Sequence, residues 1–475
     1  MKIVGRKREQ RALREYHESG LPEFLVVYGR RRVGKTFLVR EYFKNEFTFY
    51  ATGLARSSRE EQLQSFCLAL QEQMDGSEAT ARNWLEAFAA LRRGLEEMPK
   101  GRRKVVFLDE LPWMDTPKSG FLTAFEHFWN GWGAGREDIF LIVCGSATSW
   151  IVKNLFKNKG GLHNRTTRRM RIAPFDLCET EQYLTYKEVE FDRFRIIEAY
   201  MAFGGVPYYL SLMAKGRSLP QNIDDLCFAE DAPLKGEFAE VYSTLFKNSD
   251  SYIRVVEALS TKARGLTRNE IIAVTGLASG GGLTKILDEL EFCGFIRSFP
   301  SFALDDNLCM YQLVDPFSLF YLRFMKARRP KNPRYWSSNL DNPSLNAWRG
   351  YAFEQVCLSH TEQIKEALGV AAISTEISSW RSSKSVPGAQ IDLLIDRRDG
   401  IINLCESKYS KGPFAVDAAY ESNLLNKLSA FRSESRTKKA VHLTMVTTYG
   451  VTKGRHSGIV QAEVTMDDLF TPGRL

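Results

Sequence analysis

A glycine-rich segment near the start of the chain has the residue types and the spacing of a phosphate-binding loop. It reads Gly29-Arg30-Arg31-Arg32-Val33-Gly34-Lys35-Thr36 and fits the pattern G-x-x-x-x-G-K-[ST]. In such a loop the glycines let backbone N–H groups converge on phosphate oxygens, and the helix that follows adds partial positive charge. We expect Lys35 to reach the β- and γ-phosphates of a nucleotide and the Thr36 hydroxyl to bind Mg²⁺. The alternative is a glycine turn that happens to be followed by a lysine.

A pair of carboxylates, Asp109 and Glu110, directly follows the apolar run at residues 104–108. Ligands of open α/β sheets bind at the carboxyl ends of the strands, so this pair is placed for the same ligand as the glycine-rich loop. We expect Asp109 to hold Mg²⁺ through its water shell and Glu110 to polarise an attacking water as a general base. The alternative is a solvated turn.

A second set of residues with hydrolytic potential lies near the end of the chain. Asp392 falls in one apolar run, and Glu406 and Lys408 fall in the next, beyond the turn Arg397-Arg398-Asp399-Gly400. Because residues i and i+2 of a strand face the same side, Glu406 and Lys408 should point together, toward Asp392 across a hairpin. Glu354, on the helix that precedes the hairpin, is able to join them.

This second set has the equipment to hydrolyse a phosphodiester bond. The carboxylates of Glu354, Asp392 and Glu406 can hold Mg²⁺, and Lys408 can position a water molecule or help to deprotonate it. We therefore expect Glu406 and Lys408 to be catalytic. The alternative is an ion-paired hairpin on a module that only binds.

Strands that alternate with helices must position the first set. The continuous apolar runs at residues 24–28, 104–108 and 139–144 are typical of strands buried on both faces of a parallel sheet. Helical patterns at residues 36–43 and 60–98 lie between the first two runs. This alternation predicts βαβ units and an α/β fold whose parallel sheet is flanked by helices.

The middle of the chain predicts three short helices and a β-hairpin, which together are typical of a winged helix, a relative of the helix-turn-helix. The recognition helix would lie near residues 281–293 and carries one lysine against three acids, a poor composition for phosphate contact. Internal packing of this module is the alternative to DNA readout. The expected helices are 252–262, 267–275 and 283–293, and the expected strands are 294–297 and 310–313.

The last part of the chain predicts a further α/β domain. A helix is expected near residues 346–367, and polar residues at 331–334 and 337–339 indicate a linker before it. Strands are expected at 390–396, 401–407 and 440–447.

Taken together, the first set of motifs resembles P-loop ATPases of the AAA+/STAND type. By that resemblance Ser146 takes the polar position that senses the γ-phosphate. Arg165 is the preferred candidate for an arginine finger, and Arg168 is the second candidate. The alternative is that both arginines belong to a solvated basic loop. The segment Gly205-Val206-Pro207 resembles the glycine-x-proline element of the helical lid in STAND ATPases.

More narrowly, residues Tyr28 to Thr36 and Gly205 to Leu210 resemble the archaeal-type predicted ATPase family found in archaea and many bacteria. The resemblance covers about residues 1–330. It implies ATP and Mg²⁺ as ligands and a homo-oligomer that forms on ATP binding.

The C-terminal set resembles the PD-(D/E)XK nuclease fold, in the order Glu354, Asp392, Glu406, Lys408, over about residues 345–475. The predicted ATPase family often carries such a C-terminal domain, whose activity is unproven. The resemblance implies DNA as the substrate and Glu354, Asp392 and Glu406 as metal ligands.

Composition agrees with a multidomain globular protein. The 475 residues include 44% hydrophobic and 26% charged residues, which exclude a largely disordered or fibrous chain. The formal charge of +8 permits a nucleic-acid partner without requiring one. Eight cysteines without a C-x-x-C pair, no secretory signal and no long apolar stretch predict a cytoplasmic protein with reduced thiols that does not enter a membrane.

These patterns predict three domains. They are a P-loop ATPase core with a helical lid at residues 1–245, a winged helix at 246–330 and an α/β restriction-endonuclease-like domain at 331–475. The function hypothesis is an ATP-binding and ATP-hydrolysing protein coupled to a metal-dependent nuclease-like domain that acts on DNA. The alternative is a non-catalytic STAND-like switch that binds ATP and regulates or recruits a partner.

Overall fold

In a computed structural model, the chain folds into two compact units. The first comprises Met1–Ala173 and Ser243–Lys247, and the second comprises Pro174–Tyr242 and Asn248–Arg474. The structure describes residues 2–74, 80–99, 101–146, 148–156, 165–263, 265–300, 302, 309–326, 332–382 and 388–473. The expected three-domain division at residues 245 and 330 stays a prediction.

The first unit consists of alternating strands and helices. Its strands are β1 (Glu23–Tyr28), β2 (Phe49–Thr52), β3 (Lys104–Asp109), β4 (Ile139–Gly145) and β5 (Arg168–Arg171). Its helices are α1 (Lys7–Glu18), α2 (Lys35–Tyr42), α3 (Arg59–Gln73), α4 (Trp84–Glu97), α5 (Leu111–Met114), α6 (Phe121–Gly131) and α7 (Thr148–Ile151).

The five strands form one parallel sheet in the order β2-β3-β4-β1-β5. The three apolar runs found in the sequence are β1, β3 and β4, so those strand predictions are confirmed. These strands are buried on both faces because separate hydrophobic clusters pack on each side of the sheet. The predicted α/β class with a parallel sheet is therefore confirmed.

The second unit is built mainly of helices, with two sheets. Its helices are α8 (Leu177–Tyr186), α9 (Arg193–Phe203), α10 (Pro207–Ser211), α11 (Leu219–Ile223), α12 (Glu237–Leu245, which ends in the first unit), α13 (Ser249–Ser260), α14 (Arg268–Thr275), α15 (Gly281–Phe292), α16 (Pro316–Phe320), α17 (Pro343–Ser359), α18 (Thr361–Ala367) and α19 (Ala418–Ser435). Its strands are β6 (Leu266–Thr267), β7 (Ile296–Pro300), β8 (Cys309–Leu313), β9 (Thr375–Arg381), β10 (Gln390–Arg397), β11 (Ile401–Lys408), β12 (Ala440–Thr447) and β13 (Ala462–Thr465).

Helices α13, α14 and α15 accompany a three-stranded antiparallel sheet in the order β6-β8-β7. Residue Phe302, just beyond β7, donates its backbone N–H to the carbonyl of Ser379 in β9 (2.8 Å). Its ring lies 5.2 Å from that of Phe431 on α19. The β7–β8 hairpin therefore packs on the C-terminal sheet.

The C-terminal sheet has five strands in the order β13-β12-β11-β10-β9. Strands β9, β10 and β11 are antiparallel to one another, whereas β11, β12 and β13 are parallel. The predicted strands at 390–396, 401–407 and 440–447 are confirmed. The helix expected near 346–367 is two helices, α17 and α18, which are separated at His360.

The segment predicted as a linker is partly buried. Trp336 is 4% exposed and its ring lies 5.0 Å from Phe320 and 5.2 Å from Phe324. The carboxylate of Asp224 accepts the backbone N–H of Trp336 (2.7 Å) and of Ser337 (3.1 Å). This segment is therefore anchored in the core of the second unit. Lys331, the first residue of the predicted linker, lies outside the described residues.

All eight cysteines are free thiols, and only Cys309 is more than slightly exposed. The prediction that the cysteines are mostly buried is confirmed. Among the residues that the structure describes, no helix is both long and apolar enough to cross a membrane.

Candidate functional site

The glycine-rich loop connects β1 to α2, as a phosphate-binding loop requires. Gly29 has φ 147°, and an added Cβ would lie 2.2 Å from the carbonyl oxygen of Ile172, so no larger residue fits there. Gly34 has φ 84° and caps the N-terminus of α2. The loop therefore ends with the free backbone N–H groups of a helix N-terminus, where a phosphate group is favoured.

The cations of the loop are held by protein groups. Lys35 is 6% exposed, and its ammonium donates to the carbonyl oxygen of Arg30 (2.9 Å). Arg31 donates to the hydroxyl of Thr244 (2.8 Å) in the same unit. Lys35 thus lies across its own loop, from which it can turn toward a phosphate group.

The residues expected to hold the metal and the water lie together at the carboxyl edge of the sheet. The hydroxyl of Thr36 donates to Asp109 Oδ1 (3.2 Å), and Asp109 is 4% exposed at the end of β3. The Ser146 hydroxyl donates to Glu110 Oε2 (3.1 Å). Strands β3, β4 and β1 are neighbours in register, so their carboxyl ends bring these four side chains and the loop to one edge.

Two residues of this site were missed in the sequence. Arg6 is 5% exposed, and its guanidinium donates to the carbonyls of Val33 (3.3 Å) and Ala173 (2.6 Å), which fixes the loop. Cys144 lies at the end of β4 beside Asp109, and burial together with that carboxylate raises the pKa of its thiol. No local pattern in the sequence indicates this role of Arg6, because its partners Val33 and Ala173 lie far away along the chain.

The arginine-finger candidates lie at the other end of the sheet. Arg168 begins β5, pairs with Leu25 of β1 and contacts the carboxylate of Glu23 (3.3 Å). Arg165 is exposed and lies three residues before β5. The phosphate-binding loop follows the carboxyl end of β1, so the structure does not bring Arg165 to the loop of its own chain. Both arginines belong to the basic loop predicted at residues 160–169, of which residues 160–164 lie outside the described residues.

In the second unit the predicted C-terminal residues form one cluster. Burial, together with the neighbouring carboxylates of Asp392 and Glu406, raises the pKa of Glu354 to about 8, and the cations of Lys408 and Lys427 oppose this rise. Glu354 on α17 interacts with Asp392 on β10 and with Glu406 and Lys408 on β11, so these three elements bring the four residues together. A proton on Glu354 relieves the repulsion among three neighbouring carboxylates that are at least partly buried.

Glu406 is held by side chains on both of its oxygens. The Tyr420 hydroxyl donates to Oε1 (3.0 Å) and the Lys427 ammonium donates to Oε2 (2.7 Å). Lys408 is farther away, 3.5 Å from Oε1, and lies over the ring of Tyr420. Glu406 therefore makes its shortest contact with a lysine that the motif did not include.

The carboxylate of Asp392 is held by a hydrogen bond and by two neighbouring cations. The Gln390 amide donates to Oδ1 (2.7 Å), and burial raises the pKa of Asp392 while the cations of Lys427 and Arg297 lower it. Arg297 comes from strand β7 of the hairpin, where its guanidinium donates to Gln312 (Nε to Oε1, 2.9 Å). The hairpin thus supplies a cation to the carboxylate cluster.

Among the described residues, no group of three or more His, Cys, Asp or Glu side chains is arranged to hold a metal ion. Mg²⁺ needs fewer protein ligands, because it is usually bound by one or two carboxylates and keeps several waters. The donor set of Asp392 and Glu406, with Glu354 beside them, has the oxygen ligands that Mg²⁺ prefers. Thr36 and Asp109 offer the same chemistry in the first unit.

Sequence reasoning missed Tyr420, Lys427 and Arg297. Tyr420 and Lys427 are seven residues apart, which puts them on one face of α19 two turns apart. Leu424, between them, is buried and belongs to the same helical face. The spacing of apolar residues in α19 could have predicted this face from the sequence. The role of Arg297 could not be predicted in this way, because it depends on how a separate hairpin packs.

Comparisons with known proteins agree with an ATPase domain in the first part of the chain. Residues 3–213 match a family described as an ATPase domain predominantly from Archaea. An uncharacterized protein of Methanocaldococcus jannaschii is 25% identical over 405 residues, which cover 82% of this chain and 84% of that protein. An alignment of this length must extend beyond residue 213.

Solved structures of similar proteins include a Walker-type ATPase of Pyrococcus abyssi. It is 20% identical, with a TM-score of 0.49, and covers 68% of this chain and 96% of that one. A STAND protein (signal transduction ATPase with numerous domains) with a tetratricopeptide repeat sensor, from Pyrococcus horikoshii, is 18% identical with a TM-score of 0.31. That similarity covers 76% of this chain and 49% of the Pyrococcus horikoshii protein.

Proposed function

We propose that this protein, an ATPase by the domain that residues 3–213 form, couples ATP hydrolysis to a C-terminal metal-dependent nuclease domain that acts on DNA. The observation that carries the nuclease part is the convergence of Glu354, Asp392 and Glu406 with Lys408 in one partly buried cluster. These side chains come from a helix and two adjacent strands, in the arrangement that the PD-(D/E)XK resemblance implies.

In the ATPase site the side chains have distinct roles. Lys35 leaves the Arg30 carbonyl and binds the β- and γ-phosphates. Thr36 and Asp109 would hold Mg²⁺, which neutralises phosphate charge when bound. Glu110 orients the attacking water and accepts its proton, and Ser146 holds the Glu110 carboxylate in place.

Arg165 is proposed as a finger that serves a second copy of the chain. It lies at the amino end of the sheet, whereas the loop of its own chain lies at the carboxyl end. A finger in this place requires a homo-oligomer that forms on ATP binding, in which the neighbour's phosphate-binding loop faces Arg165.

In the C-terminal site, Asp392 and Glu406 would hold Mg²⁺, with Glu354 able to contribute. The metal when bound would polarise a phosphodiester and a water molecule. Lys408, as the ammonium that pairs with Glu406, would orient that water and stabilise the negative charge that develops on the attacked phosphate. Burial of the cluster strengthens each of these electrostatic contacts relative to bulk water.

DNA is the proposed substrate, and the three helices with the β7–β8 hairpin are proposed as a winged helix. Helix α15 exposes Thr284 and Lys285 together with Asp288, so it offers little charge to a DNA backbone. The hairpin packs on the C-terminal sheet and supplies Arg297. The winged helix is therefore proposed to support the nuclease site more than to read DNA sequence.

The test is a cleavage assay on duplex, single-stranded and branched DNA with Mg²⁺ or Mn²⁺, with and without ATP. We expect Lys408→Ala and Asp392→Ala to abolish cleavage and to leave ATP turnover intact. We expect Lys35→Ala to abolish ATP turnover. If the wild-type protein leaves every tested DNA and RNA form uncut, the nuclease proposal fails while the ATPase assignment stands.

A second candidate function is a STAND-like regulator that binds ATP and uses its C-terminal fold only to hold a partner. The observation in its favour is that both Glu406 oxygens already accept hydrogen bonds from protein side chains. Slow ATP hydrolysis, a nucleotide-dependent change in oligomeric mass and no cleavage would favour this candidate.

A further inference from the structure

The contact between Lys427 and Glu406 is the closest ion pair of the C-terminal cluster. The ammonium lies 2.7 Å from Oε2, and the side chains are only 16% and 9% exposed. Lys408 lies 3.5 Å from the other oxygen and is 33% exposed. The buried lysine therefore neutralises Glu406 more strongly than the lysine of the motif does.

The cluster balances its charge with its own cations. Three carboxylates, from Glu354, Asp392 and Glu406, interact with Lys408 and Lys427 and with Arg297 of the hairpin. A divalent cation that binds Asp392 and Glu406 would meet the Lys427 ammonium at the same carboxylate. Two cations on one carboxylate repel each other, and the repulsion is strong where the side chains are largely shielded from water.

We propose that Lys427 is a positioning residue that keeps Glu406 in a metal-free arrangement and competes with a divalent cation for its Oε2 atom. This inference rests on the proposed metal-dependent function of the same site. Metal binding then requires the Lys427 side chain to swing away along α19, and this displacement lowers the affinity of the site for the metal.

A purely structural role of Lys427 predicts the opposite sign. If the lysine only held Glu406 in a productive rotamer, its removal would free the carboxylate and weaken metal binding. If it competes, its removal leaves an uncompensated buried carboxylate that gains from a metal ion. The direction of the change in metal affinity separates the two roles.

The experiment is a calorimetric titration of the full-length protein with Mn²⁺ in the absence of nucleotide. The binding that Asp392→Asn removes is assigned to the C-terminal site. We expect Lys427→Met to bind Mn²⁺ about tenfold more tightly than wild type. Lys427→Arg, which keeps the charge, should stay within about twofold of wild type.

A matched control is Lys439→Met, which removes another lysine–carboxylate pair, with Asp396 at the end of β10. It should leave Mn²⁺ affinity unchanged. Lys427→Gln, which keeps a hydrogen-bond donor but not the charge, should shift the affinity in the same direction as Lys427→Met and replaces it if that variant does not fold.

Unchanged or weaker Mn²⁺ binding by Lys427→Met and Lys427→Gln would overturn the inference and leave the proposed metal site standing. If no Mn²⁺ binding of the wild type or of either variant depends on Asp392, the proposed metal-dependent function itself fails, and the inference fails with it.

Discussion

The imidazole of His360 joins two helices of the second unit, and it can do so only in its neutral form. Nε2 accepts the backbone N–H of Leu177 at the N-terminus of α8 (3.0 Å), and Nδ1 donates to the carbonyl of Val356 (2.8 Å). Full burial lowers the pKa of His360 to about 4. A proton on Nε2 would destroy the contact with Leu177 and would face the positive end of a helix dipole.

The stability of the protein should therefore fall when the pH drops below the usual histidine pKa. The unfolded chain takes up a proton near pH 6.5, whereas folded His360 does so only near pH 4, so the loss begins below pH 6.5 and levels off below 4. The loss reaches about 2 kcal/mol at pH 5. Denaturant unfolding of wild type and His360→Gln from pH 7.5 to 5 measures it, and equal pH slopes for the two proteins would contradict the prediction.

Residues with strong local patterns were predictable, and residues that depend on packing between elements were not. Lys35 and Thr36 follow from one contiguous motif, and the structure places them beside Asp109 as that motif implies. Lys427 could not be assigned from its neighbours in sequence, because its role arises from the approach of α19 to β11. Arg297 depends in the same way on the docking of the β7–β8 hairpin.

At the scale of elements, burial on both faces decides which strands the sequence reveals. The inner residues of strands β1, β3 and β4 are apolar because helices cover both faces of the sheet. Strand β9, which the sequence did not reveal, is an edge strand with mostly polar side chains, and only Trp380 is buried. Such edges carry little hydrophobic pattern, because one side of the strand stays in contact with water.

The turn between α9 and α10 contains a glycine that a close backbone contact requires. The backbone N–H of Phe175 donates to the carbonyl of Gly205 (2.6 Å), and a Cβ on Gly205 would lie 1.8 Å from the Phe175 carbonyl oxygen. Two backbone segments thus pack without space for any side chain. The glycine of the Gly205-Val206-Pro207 element is required by this contact.

We expect Gly205→Ala to destabilise the protein by at least about 2 kcal/mol, because backbone atoms cannot move aside as a flexible side chain can. The matched control is Gly236→Ala, where an added Cβ meets nothing within 4 Å. Thermal unfolding of both variants provides the measurement. A Gly205→Ala protein with the midpoint of the control would show that the turn rearranges freely.

At the scale of the whole molecule, the second unit joins parts that the sequence analysis treats as separate domains. Glu198 on α9 accepts from the Tyr409 hydroxyl (2.9 Å) next to Lys408 and pairs with Arg349 on α17 (3.2 Å). Helix α9 therefore contacts both α17, which carries Glu354, and the end of β11, which carries Glu406 and Lys408. The polar residues at 337–339 indicated a linker. Trp336, directly before them, instead packs into the core of the second unit.

The tryptophan of this segment provides the test of that organisation. A flexible linker predicts a change of at most about 0.5 kcal/mol for Trp336→Ala, as for other exposed sites. Burial of Trp336 against Phe320 and Phe324, with its ring 5.6 Å from that of Trp348, predicts a loss of about 3–5 kcal/mol. Tyr186→Ala is the control, since Tyr186 is 46% exposed in the same unit. Denaturant unfolding of the full-length variants decides between the two, because a Trp336→Ala protein as stable as the control would mean that residues 332–339 connect independent domains.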